Sequence, residues 1–153
     1  MVVVPPILAW IEKYGIKTLI NAPCAGGDCG VFQSHGIERT LGVNISDVGE
    51  ACETKIQADL CYWKPSEPWD AVYINCIFCT TNASPEGTNQ MLAENYADWP
   101  VRYIIVYDTA INPFDWGSIF QSKGWMRIEC MKEDGSPLLE EWATRCEVWE
   151  HAT

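Results

Sequence analysis

"KTLINAPCAGGDCGVF", Lys17 to Phe32, is the stretch whose reading decides the fold. Leu19 and Ile20 form a short apolar run to Asn21 and Ala22. The chain then passes through Pro23, Cys24, Ala25, Gly26 and Gly27 before Asp28 to His35 take up helical spacing, stopped by Gly36. A strand that breaks into small residues and restarts as a helix has three physical readings. It can cradle a nucleotide-bearing cofactor, hold a metal between Cys24 and Cys29, or simply turn a tight corner. Small residues allow another group to approach the backbone closely, so the flanking sequence has to separate these readings.

Upstream, Pro5 to Tyr14 reads as a helix with Pro at its start, apolar Ile7, Leu8, Trp10, Ile11 and Tyr14, and Gly15 as its stop. Ile16 to Ala22 is the first strand. Downstream, Arg39 to Ile45 is a second strand, Ser46 is an N-cap for a weak helix interrupted by Gly49, and Lys55 to Leu60 is a short third strand. Trp69 to Cys79 contains a strand apolar on both faces, as a central parallel strand requires. Ser84-Pro85-Glu86 opens a helix with Leu92, Tyr96 and Trp99 on one side. Val101 to Asp108 is a fifth strand, and Asn112-Pro113 starts a helix stopped by Gly124. Two last strands, "WMRIECMKE" and "EEWATRCEVWE", flank Asp134-Gly135 as an antiparallel hairpin. This alternation predicts an α/β three-layer sandwich whose sheet has seven strands, mostly parallel, with the antiparallel hairpin at its C-terminal end. Residues 1–153 read as one domain, without repeat or linker. Ligand chemistry then belongs at the carboxyl ends of the strands, after Ala22, Asn44, Leu60, Ile74 and Tyr107.

Composition narrows the class. The formal net charge is −11, and seven acids between Glu129 and Glu150 face only Lys132 and Arg145. Such a balance argues against autonomous nucleic-acid binding, which depends on cations at the phosphates. No apolar run approaches the roughly 18 residues of a membrane span. The start, "MVVVPPILAW", lacks a basic region and breaks at Pro5-Pro6, so a soluble cytoplasmic protein, monomer or homodimer, is expected. The eight cysteines lie mostly within apolar runs, where reduced cysteine packs as a small hydrophobe, and no disulfide scaffold is expected.

Four stretches taken in order resemble the class I S-adenosylmethionine-dependent methyltransferases. "NAPCAGG" (Asn21 to Gly27) is similar to the family's acid-led glycine turn. "LGVNIS" (Leu41 to Ser46) is similar to its second-strand motif, "ADL" (Ala58 to Leu60) to its third, and "PWDAVYIN" (Pro68 to Asn75) to its fourth. The resemblance spans nearly the whole chain and implies S-adenosylmethionine as cofactor, S-adenosylhomocysteine as product, and no metal. It implies that Asn21, Ala22, Pro23, Ala25 and Gly27 border the cofactor's methionine part. It places Asn44 at the ribose, Ile45 and Leu60 on the adenine faces, Asp59 at the adenine amino group, and Asn75 near the transferred methyl. Phe78, Tyr107, Asp108, Asn112 and Trp116 would line the acceptor pocket, with Asp108 able to act as a base. The sequence departs from the family at Asn21 and Asn44, where acids are usual, and at Pro23 and Ala25, where glycines are usual. An amide offers a donor and an acceptor but no charge.

Other readings compete at the same positions. Asn75 to Phe78 ("NCIF") matches only the ends of the Asp/Asn-Pro-Pro-aromatic motif of amino-group methyltransferases, and core packing explains it equally well. Cys76 lacks the preceding proline of the cytosine C5 enzymes. Cys24, Cys29, Cys76 and Cys79 follow neighbouring strands and could converge as a zinc or iron–sulfur site. Ala25-x-Gly27-x-x-Gly30 approaches a dinucleotide fingerprint, but Asn44 stands where that motif needs an acid. His35 and His151 read as surface residues. The expected function is methyl transfer to a small-molecule acceptor, or to one presented by a partner. The alternatives are a non-catalytic cofactor-binding module of the same fold and a cysteine-ligated metal protein.

Overall fold

A computed structural model describes residues 3–24, 28–46, 52–78, 88–109, 114–137 and 144–151. The apolar segments form strands β1 (Thr18–Asn21), β2 (Arg39–Asn44), β3 (Thr54–Gln57), β4 (Trp69–Asn75), β5 (Val101–Thr109), β6 (Trp125–Met131) and β7 (Thr144–His151). They join in one sheet of order β3-β2-β1-β4-β5-β7-β6. Pairing is parallel from β3 across to β5 and antiparallel on both sides of β7.

Alternation along each strand divides the core in two. Leu19, Ala71, Tyr73, Tyr103 and Ile105 face helix α1 (Pro5–Lys13) and helix α2 (Asp28–Ser34), packing with Ile7, Trp10, Ile11 and Phe32. Ile20, Val72, Ile74, Ile104 and Val106 face helix α3 (Asn89–Ala97) and helix α4 (Trp116–Ser122), packing with Leu92, Ala93, Tyr96, Trp116 and Phe120. These are the three layers that the alternating elements imply. Both faces of β4 are covered, which is why its sequence is apolar almost throughout. No helix among the described residues is long and apolar enough to cross a membrane.

Element edges differ from the sequence reading for local reasons. The third strand ends at Gln57 rather than Leu60, because Asp59 folds back and its Oδ1 accepts from Cys61 N at 2.9 Å. The turn after β6 closes through Gly135 N to Lys132 O and Lys132 N to Ser136 O, both at 3.0 Å, with Gly135 at φ 86°. The expected helix starts at Ser84-Pro85-Glu86 and at Asn112-Pro113, and the weak helix after Ser46, fall on or run into residues outside those described. The described parts begin at caps: Thr88 Oγ1 accepts from Met91 N at 3.2 Å, and Asp115 Oδ1 from Ser118 N at 3.0 Å.

The acids of the last segment are not simply a solvated face. Glu129 accepts from Lys13 Nζ and from Tyr14 Oη, each at 2.6 Å, clasping α1 to β6. Glu133 accepts from Tyr107 Oη at 2.7 Å. Glu147 is buried, and accepts from Trp116 Nε1 at 2.8 Å, Trp149 Nε1 at 3.0 Å and an Arg127 guanidinium nitrogen at 3.1 Å. The reading of both histidines as surface residues holds for His35 only. His151 is half-buried, edge-on to Trp125 with ring centroids 5.0 Å apart, its Nε2 3.2 Å from Lys123 O.

Candidate functional site

At the carboxyl edge of the sheet, β1 connects outward to β2 while its other neighbour, β4, leads on to β5, so the switch point lies between β1 and β4. Asn21 ends β1 and Asn75 ends β4, and alternation turns both side chains toward α2. Asn75 Nδ2 donates to Asp28 Oδ2 at 3.3 Å. Asp28, at the start of α2, is 1% exposed, and this burial, only partly offset by the Asn75 hydrogen bond, raises its carboxyl pKa. Asn21 Oδ1 and Asp28 Oδ1 are both buried and meet no hydrogen-bond partner among the described residues. Buried polar atoms are nearly always paired, so these two oxygens mark a place for donors from elsewhere. The reading from sequence missed Asp28; its place in the first turn of a helix following a glycine turn was the available signal.

The turn itself is held from three sides. Ala22 N donates to Tyr73 O at 3.1 Å, Ala22 O accepts from Tyr96 Oη at 2.6 Å, and Cys24 N donates to Val43 O at 2.9 Å. The Ala22–Pro23 peptide is cis. Ala25 and Gly27 lie outside the described residues.

Asn44 ends β2 next to this turn. Its Nδ2 donates to Cys24 O at 2.8 Å and its Oδ1 accepts from Ile45 N at 2.8 Å. The amide thus ties β2 to the glycine turn, which explains why a carboxylate is absent: it has no donor for the Cys24 carbonyl. Asn44→Asp should therefore lower stability by about 1 kcal/mol, the usual net worth of one such bond, read as a shifted urea midpoint. An unchanged midpoint would show the tie to be dispensable. Ile45, just beyond, is 37% exposed, an uncovered apolar side chain at the carboxyl edge. Asp59 is half-buried, with Oδ1 engaged by Cys61 N. Leu60 is 2% exposed and packs in the core facing α3, which leaves little of it for an adenine face.

The residues expected at the acceptor are mostly sealed. Phe78 is fully buried; it stacks on Trp116 with centroids 5.2 Å apart and 15° between planes, and touches Phe114 and Tyr96. Asp108 is fully buried, its Oδ2 accepting from Phe78 N at 2.9 Å. Trp116 is buried and donates to Glu147, while Tyr107 is half-buried and donates to Glu133. Burial and that carboxylate push the Tyr107 phenol above its ordinary pKa. The structure thus gives Phe78, Asp108 and Trp116 packing and anchoring contacts rather than open surfaces. Cys76 follows Asn75 at φ 52°, a left-handed conformation uncommon for a residue with a Cβ.

Two hollows stand near the sheet. One of about 420 Å³, lined by Phe114, Trp116, Ser118, Arg127 and Arg145, lies beside the start of α4 and the first residues of β7. Arg145 pairs in register with Asp108, so this hollow reaches the carboxyl edge of β5. The larger, about 870 Å³ and lined by Trp99, Val101 and His151, lies at the opposite edge, where β5 begins and β7 ends. Strand direction favours the smaller one as a ligand site.

The cysteines depart from the sequence reading. Cys29 and Cys52 form a disulfide, correcting the expectation that the cysteines are unbridged. Cys24 Sγ lies 3.2 Å from Cys52 Sγ and 4.0 Å from Cys29 Sγ. Cys52, not Cys76, completes this group, and Cys79 lies outside the described residues. Burial, together with the nearby Asp28 charge, pushes the Cys24 thiol up to about 11, with Lys55 acting the other way.

No protein-family model matches the chain. Its structural neighbours are class I S-adenosylmethionine-dependent methyltransferases. A TehB-like methyltransferase from Corynebacterium glutamicum superposes with a TM-score of 0.73 at 14% identity, over 94% of this chain and 86% of that one. Magnesium protoporphyrin IX methyltransferase from Synechocystis, solved with bound S-adenosylhomocysteine, gives 0.70 at 14% identity, over 96% and 80%. The N-methyltransferase NodS from Bradyrhizobium japonicum, in complex with S-adenosylhomocysteine, gives 0.66 at 10% identity, over 97% and 85%. At these identities the likeness establishes the fold: a seven-stranded Rossmann-like methyltransferase sheet.

Proposed function

We propose that residues 1–153 act as a single cytoplasmic unit that binds S-adenosylmethionine and transfers its methyl group to a small-molecule or partner-presented acceptor. The observation that carries this reading is the pair of buried, unpartnered oxygens, Asn21 Oδ1 and Asp28 Oδ1, at the β1/β4 switch point. An ammonium group supplies donors for both, and the buried Asp28 carboxylate supplies the charge that Asn21 lacks. Exposed Ile45 covers one adenine face, and Asp59, with one oxygen engaged by Cys61, keeps the other for the adenine amino group. A sulfonium donor carries its own leaving group, so the protein's main task is to hold donor and acceptor in line. Asn75, anchored on Asp28, orients that end of the site. The hollow by Trp116 and Arg145 receives the acceptor.

Titration calorimetry tests this directly. S-adenosylmethionine and S-adenosylhomocysteine should each bind with one-site stoichiometry; binding of neither would refute the reading. A non-catalytic module of the same fold is the second reading, favoured by the complete burial of Asp108, which denies the site that base. Cofactor binding without label transfer from methyl-labelled S-adenosylmethionine, across amine, hydroxyl and thiol acceptors, would select it.

A further inference from the structure

We propose that Cys24, Cys29 and Cys52 form a zinc site, whose oxidised, metal-free form is the Cys29–Cys52 disulfide. The three sulfurs come from three separate parts of the chain: the exit of β1, the first turn of α2 and the approach to β3. All three residues are buried, and their sulfurs lie within 4.8 Å of one another. In a tetrahedral site with zinc–sulfur bonds of about 2.3 Å, sulfurs stand about 3.8 Å apart. The separations from Cys24, 3.2 and 4.0 Å, straddle that spacing. The third pair is drawn together by its covalent bond and gains the needed room once that bond opens.

A second, independent feature points the same way. Asn21 Nδ2 faces Cys24 Sγ at 3.6 Å and Cys29 Sγ at 3.9 Å. An amide N–H directed at two sulfurs stabilises them as thiolates, and such outer partners orient and tune the ligands of a metal. A carboxylate at position 21 would instead set negative charge against the same sulfurs. Asn21 thus serves two neighbours, donating to the sulfurs while its oxygen remains for an ammonium. Three thiolates leave the fourth corner of the tetrahedron to a solvent-derived ligand. Thiolate is a soft donor, which favours zinc over magnesium or calcium.

Loading requires reduction first. A trialkylphosphine takes up the oxygen of one water molecule to become its oxide, and two electrons pass to the Cys29–Cys52 bond. Two thiols result, carrying the two protons of that water. Zinc then displaces the three thiol protons, which pass to buffer. In a reducing compartment disulfides rarely persist, so the thiol form is the one a metal would meet there.

The test uses the full chain, reduced with a phosphine under nitrogen, offered zinc sulfate, desalted and analysed for metal. The expected result is a single zinc per chain, lost in Cys24→Ser, Cys29→Ser and Cys52→Ser and kept in Cys130→Ser on β6. Two measurements on the unaltered protein guard against variants that misfold. Cobalt offered in place of zinc should give sulfur-to-cobalt charge-transfer absorbance. Zinc should also slow alkylation of Cys24, Cys29 and Cys52, mapped by mass spectrometry, while Cys130 is unaffected. Reduced protein that holds no zinc and shows no cobalt–thiolate band overturns the proposal. So does zinc content unchanged by Cys24→Ser, with Cys24 alkylated equally fast with and without metal. None of these readouts involves S-adenosylmethionine, so the result stands apart from the cofactor reading.

Discussion

Asp28→Asn weakens S-adenosylhomocysteine binding by about tenfold in calorimetry, since a charged hydrogen bond of about 1.5–3 kcal/mol becomes a neutral one of about 0.5–1.5 kcal/mol. The same exchange moves stability the other way. Burial raises the Asp28 pKa in the folded chain above the unfolded value, so the folded state holds this proton more tightly. The stability linked to it is fully present below the unfolded carboxyl pKa of about 3.9 and is lost as pH rises through the folded value. Ionising Asp28 therefore places charge on a buried carboxylate with one oxygen unpartnered among the described residues. With chelator present, the asparagine variant should melt higher than the native protein at pH 7, and the difference should close on acidification. Opposite signs for affinity and stability identify a group kept for its ligand. Weaker binding with lower stability would identify a merely structural one.

Glu147→Ala produces the largest loss of stability, about 3–5 kcal/mol by urea denaturation, the usual range when one partner of a buried charged network is removed. Two indole N–H groups, on Trp116 and Trp149, converge on Glu147 Oε1, and Arg127 approaches Oε2. Alanine leaves both indoles without an acceptor in the core between α4 and the sheet. Glu147→Gln keeps one oxygen for them and forfeits the charge and the acceptor oxygen facing Arg127 and Arg145, so its effect should be smaller than that of alanine. Equal losses for Ala and Gln would mean that the charge, not the indole pairing, matters.

The sheet was legible because its signals are local and repeated. Leu19-Ile20, Leu41 to Val43, Ala71 to Ile74 and Tyr103 to Val106 each show strand-length apolar runs, and their separation by helical spacing forces parallel pairing. The site was legible only in outline. Asn21 and Asn75 were placed correctly at adjacent strand ends, because strand order alone determines that. What their amides touch was not readable, since Asp28 meets Asn75 across 47 residues of chain and the sulfurs facing Asn21 are set by the path of the glycine turn. The same limit explains Phe78 and Asp108. Phe78 follows the end of β4 and Asp108 stands near the end of β5, where exposure is common, yet Phe78 packs on Trp116 and its backbone N–H donates to Asp108. Glu147 entered the sequence reading only as one acid in a charge balance, because the sequence does not announce that the Trp116 and Trp149 indoles will turn toward it.

The antiparallel course of β7 has a consequence for how this protein could diversify. Thr144 opens β7 opposite Thr109, and Met131 closes β6 opposite Cys146, so the connection between the two leaves and re-enters the sheet at the carboxyl edge of the parallel strands. A strand added in parallel would have sent its incoming connection to the other rim. Residues inserted between β6 and β7 would therefore accumulate as a wall beside the Arg145 hollow, leaving the paired strands undisturbed. The fold carries a built-in growth point at the carboxyl edge, set by the direction of one strand rather than by any residue in it.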